Sequence, residues 1–148
     1  MRILIDTNVL VRLTDSSHAF HSTAVSAIDA LHQGGHELAV VPQVLYEFWS
    51  VATRSVSVNG LGIDPPVADA WLVRFIGAFR LLRDERGIFD DWRRLVTLHE
   101  IRGVKSFDAR LAAAMLRQGL SHLLTFNAGD FRAFNHVALL DANAFAAT

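Results

Sequence analysis

Short unbroken apolar runs alternate along this chain with longer stretches in which apolar residues recur every three or four positions. The first run, Ile3-Leu4-Ile5, has the pattern of a strand covered on both faces, and Asp6-Thr7-Asn8 closes it with residues that cap helices. A central strand leading straight into a helix is expected. Phe20, Ala24, Ala27, Ile28 and Leu31 stand three and four apart until Gly34-Gly35 interrupts them, which predicts an amphipathic helix over 20–33. Leu38-Ala39-Val40-Val41 predicts a second strand. Pro42 then suits a first helical turn, and Leu45, Phe48, Trp49 and Ala52 form the buried stripe of the helix that follows.

Residues 55–66, with two glycines and Pro65-Pro66, read as a mobile connection that would suit a loop near a site. A helix over 67–78 and a strand over 79–83 follow. Apolar residues at 89, 92, 95, 96 and 98 predict a helix over 89–101, ended by Gly103. Ser106 is placed to cap a further helix with Phe107, Leu111, Ala114 and Met115 inward and Gly119 at its end. Strands are expected over 122–126 and 137–140. Strands alternating with helices of this length imply an α/β fold, a mainly parallel central sheet flanked by helices on both faces.

The 148 residues suit one domain over 1–148, and 51% apolar with 20% charged residues excludes extended disorder. Thirteen Arg and one Lys against fifteen acids leave a formal charge of -1, so any polyanion must be held by a local patch. Cysteine is absent, which removes disulfides, thiol nucleophiles and Cys-ligated zinc and fits a reducing compartment, the cytoplasm by default. The start carries no expected signal peptide, and no apolar run approaches the ~20 residues of a membrane span. The histidine pairs His18/His21 and His32/His36 read as surface residues rather than zinc ligands. Nucleophile-elbow, P-loop and dinucleotide fingerprints are missing from the sequence.

The candidate chemistry lies in the acids. Ligands of open parallel sheets sit outside the carboxyl ends of the strands, where Asp6 falls and where Thr125, Asn127 and Asp130 follow a late strand. Asp108 would occupy a first helical turn, whose dipole favours a carboxylate by ~0.3–1 kcal/mol and lowers its expected pKa. Glu47 is turned away from the stripe of its own helix. Several carboxylates sharing one site repel unless a cation binds among them, and oxygen ligands without Cys select Mg²⁺ or Mn²⁺.

Asp6-Thr7-Asn8, Glu47 in the helix after the second strand, Asp108 within Phe107-Asp108-Ala109-Arg110-Leu111-Ala112-Ala113-Ala114, and Thr125-Phe126-Asn127-Ala128-Gly129-Asp130-Phe131 resemble the ordered motifs of the PIN-domain ribonucleases. Length and spacing are most similar to the VapC-type toxins of bacterial toxin–antitoxin pairs, up to about residue 141. The resemblance implies a three-layer PIN-like fold and an endoribonuclease that hydrolyses RNA with Mg²⁺, for which Mn²⁺ can substitute. It assigns Asp6, Glu47, Asp108 and Asp130 as catalytic metal ligands. Asn127 stands at one of two points where family members place the last acid, which makes it a neutral ligand or orienter, and Thr7, Asn8 and Thr125 would steady the carboxylates. The implied partners are RNA, a cognate antitoxin and a second copy of the chain.

Water as nucleophile would leave 5′-phosphate and 3′-hydroxyl ends. Two or three of Arg12, Arg54, Arg86, Arg93, Arg94, Arg102, Lys105 and Arg110 are expected to contact phosphate. An antitoxin would present Arg or Lys to the acids and cover apolar surface around Val44, Phe48, Trp49, Trp71 and Phe75, the alternative being that all five pack internally. Two other readings compete. A haloacid dehalogenase-type phosphatase also begins with Asp after a strand, but its second Asp would fall at Asn8. A non-catalytic RNA- or protein-binding module of the same fold would have no need of four clustered acids.

Overall fold

The computed structural model describes residues 1–146. Its strands are β1 (Arg2–Ile5), β2 (Glu37–Val40), β3 (Arg80–Leu81), β4 (His122–Thr125) and β5 (Ala138–Asp141). The helices are α1 (Thr7–Thr14), α2 (His21–Gln33), α3 (Pro42–Thr53), α4 (Pro65–Ala78), α5 (Gly87–Leu98) and α6 (Lys105–Gln118). The sheet runs β3-β2-β1-β4-β5, and every neighbouring pair is parallel, so the mainly parallel sheet expected from the sequence is wholly so.

Consecutive residues of a strand face opposite sides of a sheet, and Ile3, Leu4 and Ile5 are all fully buried. Helices therefore cover both faces of β1, giving the three-layer α/β fold. The chain builds β1, β2 and β3 outward to one side and then returns past β1 to add β4 and β5 on the other. That reversal puts the carboxyl ends of β1 and β4 side by side, with the Asp6 N–H donating to the Leu124 carbonyl at 3.0 Å. No helix among the described residues is long and apolar enough to cross a membrane.

Several boundaries and faces differ from the sequence reading. Helix α2 starts after Phe20, which is 47% exposed and stacks on Phe126 with ring centroids 5.6 Å apart. Helix α5 buries Ile88 and Asp91 while Phe89 and Leu98 face outward, and it ends before Ile101. Its inner face is fixed by α6, where Ile88 meets Ala113 and Ala114. Asp91 is tolerated there because Arg94 and Arg117 each reach it at 2.7 Å. Helix α6 begins at Lys105 without a side-chain cap, so Ser106 is inside it, and Phe107 is 61% exposed rather than inward.

The 55–66 connection is pinned rather than loose. It forms a 3₁₀ turn over Val56–Val58, and the N–H groups of Leu61, Gly62 and Ile63 return to the carbonyls of Val51, Arg54 and Ala52 at 2.8–3.0 Å. A Cβ on Gly60 would lie 1.8 Å from the Arg54 carbonyl oxygen, which is why the turn needs glycine there. The turn borders Thr14, Asp15 and Ser17 at the end of α1 instead of the acids.

Candidate functional site

Asp6 is both the residue that follows β1 and the N-cap of α1. One carboxylate oxygen accepts from the N–H of Thr7, the first residue of the helix, at 2.7 Å, and the other accepts from the Thr125 hydroxyl at 2.7 Å. Thr125 ends β4 and is fully buried; its oxygen accepts from Asn8 Nδ2 at 3.1 Å and from the Asn127 N–H at 3.0 Å. With both lone pairs engaged, its hydrogen is directed at Asp6. Asn8 also accepts from the Phe126 N–H at 3.2 Å. It therefore fastens α1 to the end of β4 and reaches the acids only through Thr125, not by touching a carboxylate itself.

Glu47, on α3, is held on both oxygens. Thr7 Oγ1 donates to one at 3.2 Å and Gln43 Nε2 to the other at 2.8 Å. Gln43 is 7% exposed, and the sequence reading does not single it out, although a Gln one helical turn before Glu47 is placed for such a bond. Asp108 lies in the first turn of α6, half-buried. Asp130 sits on the exposed 3₁₀ turn Ala128–Phe131, and Asn127 meets the cluster through its backbone N–H.

The acids act on one another. Asp6 is only 8% exposed, and burial pushes its carboxyl up to about 6 against the pull of Thr125 and Thr7, with Glu47 and Asp108 adding repulsion. Asp108 is also pushed up to about 6, by burial first and then by Asp130 and Glu47, while Lys105 opposes. The lowering expected for Asp108 from the helix dipole is thus outweighed. Asp130 joins the cluster through Asp108.

Among the described residues no three His, Asp or Glu side chains converge to enclose a cation. Carboxylates that share a field but leave room between them suit a hard, strongly hydrated ion such as Mg²⁺, which keeps several waters and takes few protein ligands. An all-oxygen donor set without Cys does not suit zinc.

A groove of about 900 Å³ opens beside Glu47 and Asp108, walled by Tyr46, Arg54, Val104, Phe107 and Arg110. Of the basic residues named from the sequence, Arg54 and Arg110 line it and Lys105 is close enough to act on Asp108. Arg94 is committed to Asp91. The apolar patch expected around Val44, Phe48, Trp49, Trp71 and Phe75 is not a surface. Val44, Phe48 and Phe75 are buried, the last two meeting edge to face at 5.0 Å, and the two tryptophans pack partly against them. The large apolar residues exposed near the acids are Tyr46, Val104 and Phe107.

A family model described as PIN domain matches residues 3–137. No curated protein matches the chain significantly. Among solved structures the fold is similar to that of a chain of VapBC2 from Rickettsia felis bound to a promoter DNA fragment, with TM-score 0.72 and 16% identity over 95% of this chain and 98% of that one. VapBC-1 from nontypeable Haemophilus influenzae is similar at TM-score 0.70 and 15% identity, over 97% of this chain and 99% of that chain. VapC20 of Mycobacterium tuberculosis, a sarcin-ricin loop cleaving toxin, is similar at TM-score 0.59 and 20% identity, over 82% and 86% respectively.

Proposed function

We propose, from the premise that this chain belongs to the PIN domain family, that it is a divalent-metal-dependent endoribonuclease and the toxin of a toxin–antitoxin pair, acting in the cytoplasm as one domain over 1–148. The observation that carries the reading is that carboxylates from separate segments, at the end of β1, on α3 and on α6, lie near enough to repel one another, with two of them pushed up to about 6. Such an arrangement is costly without a cation and useful with one.

Asp6, Glu47, Asp108 and Asp130 would hold Mg²⁺, or Mn²⁺ in its place. The ion, when bound, supplies the countercharge that lets an anionic phosphodiester approach and eases the deprotonation of water. The chain's own groups do the positioning. Thr7 and Thr125 hold Asp6 in one orientation, Thr7 and Gln43 do so for Glu47, and Asn127 steadies Thr125 through its backbone. Arg54 and Arg110 on the groove wall are placed to meet phosphate oxygens. Asn8, at the place of the second Asp of a haloacid dehalogenase-type phosphatase, is occupied by Thr125 and Phe126, which weighs against that chemistry.

VapBC2 and VapBC-1 are among the structural neighbours, which supports a cognate antitoxin as partner; its Arg or Lys would reach the acids. A homodimer is part of the same reading. Cleavage of RNA with Mg²⁺ or Mn²⁺, its loss in EDTA and weak activity with the larger Ca²⁺ are expected. Mapped products should carry 5′-monophosphate ends; full activity in EDTA overturns the metal mechanism. Growth arrest by the chain alone, relieved by the product of the adjacent open reading frame, tests the toxin role.

A further inference from the structure

Gln43 and Arg110 form a relay that ends on Glu47. Arg110 Nη1 donates to Gln43 Oε1 at 3.0 Å, and its Nη2 is held by Asp84 at 3.2 Å. Both hydrogens of the Gln43 amide are then used, one toward Glu47 at 2.8 Å and one toward the Phe107 carbonyl at 2.8 Å. The amide orientation is fixed by its surroundings, because its nitrogen faces two acceptors and its oxygen faces a guanidinium. Gln43 is nearly buried, whereas Arg110 reaches the groove.

We infer that Gln43 is a positioning residue for Glu47, and that Arg110 acts on Glu47 through it, so that this relay sets how well the site binds its divalent ion. The inference rests on the metal-dependent reading and adds to it two residues that act on the site through Glu47. A neutral amide suits this role because it fixes the free rotation of Glu47 without cancelling its charge, as a direct arginine pair would. Donation from the guanidinium polarises the amide and strengthens its N–H bond to the carboxylate.

The relay predicts a specific pattern of Mn²⁺ binding to the full chain without RNA, read by calorimetry. Gln43→Met, which keeps bulk but loses all three bonds, should weaken Mn²⁺ by about 10-fold, the usual scale for losing a group that orients a ligand. Arg110→Met should weaken it by about 3-fold, a fraction of the same effect. In a Glu47→Gln background neither change should matter further, and Arg110→Met should add nothing to Gln43→Met. Wild-type Mn²⁺ affinity in Gln43→Met, or equal losses with and without Glu47, overturns the relay and leaves Gln43 as a tie between α3 and α6. Should Gln43→Met not fold, Arg110→Met with and without Glu47 decides by the same criterion. Failure of the wild-type chain to bind Mn²⁺ overturns the metal-dependent reading itself, a different result from loss of the pattern.

Discussion

Asp6 carries three demands at once: it caps α1, accepts from Thr125 and faces Glu47 and Asp108 with little water. Replacing Asp6 or Asp108 by Asn should reduce cleavage to near background while circular dichroism remains that of the folded chain. Asp108→Asn is the cleaner variant. In Asp6→Asn the new amide would donate toward a Thr125 oxygen whose lone pairs are already taken. Activity near wild type in both variants removes the proposed site. Ionisation also predicts an inverted stability profile. The folded metal-free chain holds Asp6 at about 6 against an ordinary 3.8, so it binds more protons than the unfolded chain between those pH values. Stability is therefore present below about 4 and falls as pH rises through about 6, by about 3 kcal/mol for Asp6 alone. Asp108 adds in the same direction. Thermal melts in EDTA should show a lower midpoint at pH 7 than at pH 5, and Asp6→Asn should flatten the difference. A rising midpoint over that interval contradicts the burial of an ionisable Asp6.

Helices α5 and α6 show where elements are and are not legible in the sequence. Strands β1, β2 and β4 stand out because a parallel strand covered on both faces must be apolar throughout. Two-residue β3 at the sheet edge has little such signal. Periodicity finds helices but does not say which apolar stripe a neighbour covers, so Phe89, Leu98 and Phe107 read as core yet face outward. The burial of Asp91 depends on Arg117, 26 positions later. Asp6 is legible because a carboxylate directly after a buried strand must be accommodated beside the core, whereas Glu47 inside α3 and Asp108 in a first helical turn are singled out only by the ordered family resemblance. Gln43 is not, since its partners Phe107 and Arg110 lie 64 and 67 residues away. The helix dipole alone gives the wrong direction for the pKa of Asp108, because its burial first, and then repulsion from Asp130 and Glu47, are set by tertiary packing and outweigh a dipole of ~0.3–1 kcal/mol. The same dependence on distant partners makes the α5–α6 clamp testable. A Cβ on Gly87 would lie 2.1 Å from Arg117 Cζ, pushing the guanidinium off Asp91. Gly87→Ala and Arg117→Ala should each cost about 2 kcal/mol in urea unfolding, by leaving a buried carboxylate with only the exposed Arg94. The double variant should cost little more than either alone. Additive losses would show that Gly87 matters for another reason.

At the scale of the whole molecule, a formal charge of -1 supplies no long-range attraction for a polyanion, so the RNA substrate proposed above would have to be held locally, at the groove. Binding then depends on a few local cations, of which Arg54, Lys105 and Arg110 adjoin the acids. This sets the salt dependence. For single strands, log K falls with log salt at about -0.7 per phosphate contact, so three contacts lower affinity by about 20-fold between about 50 and 200 mM. A protein that used all eight of the cations considered from the sequence would lose about 2,000-fold over the same range. The inactive Asp108→Asn chain, titrated with single-stranded RNA by fluorescence anisotropy at fixed Mg²⁺, should show the shallower dependence. Arg54 is the informative side chain, being exposed on the groove wall and joined only to the Asn59 carbonyl at 3.3 Å among the described contacts. Arg54→Ala should weaken binding at low salt and reduce the slope by about 0.7. A slope unchanged by Arg54→Ala would place the RNA path away from α3. A slope near that of eight contacts would mean that phosphates are held by a wider surface than this groove, as when two copies of the chain line one RNA path.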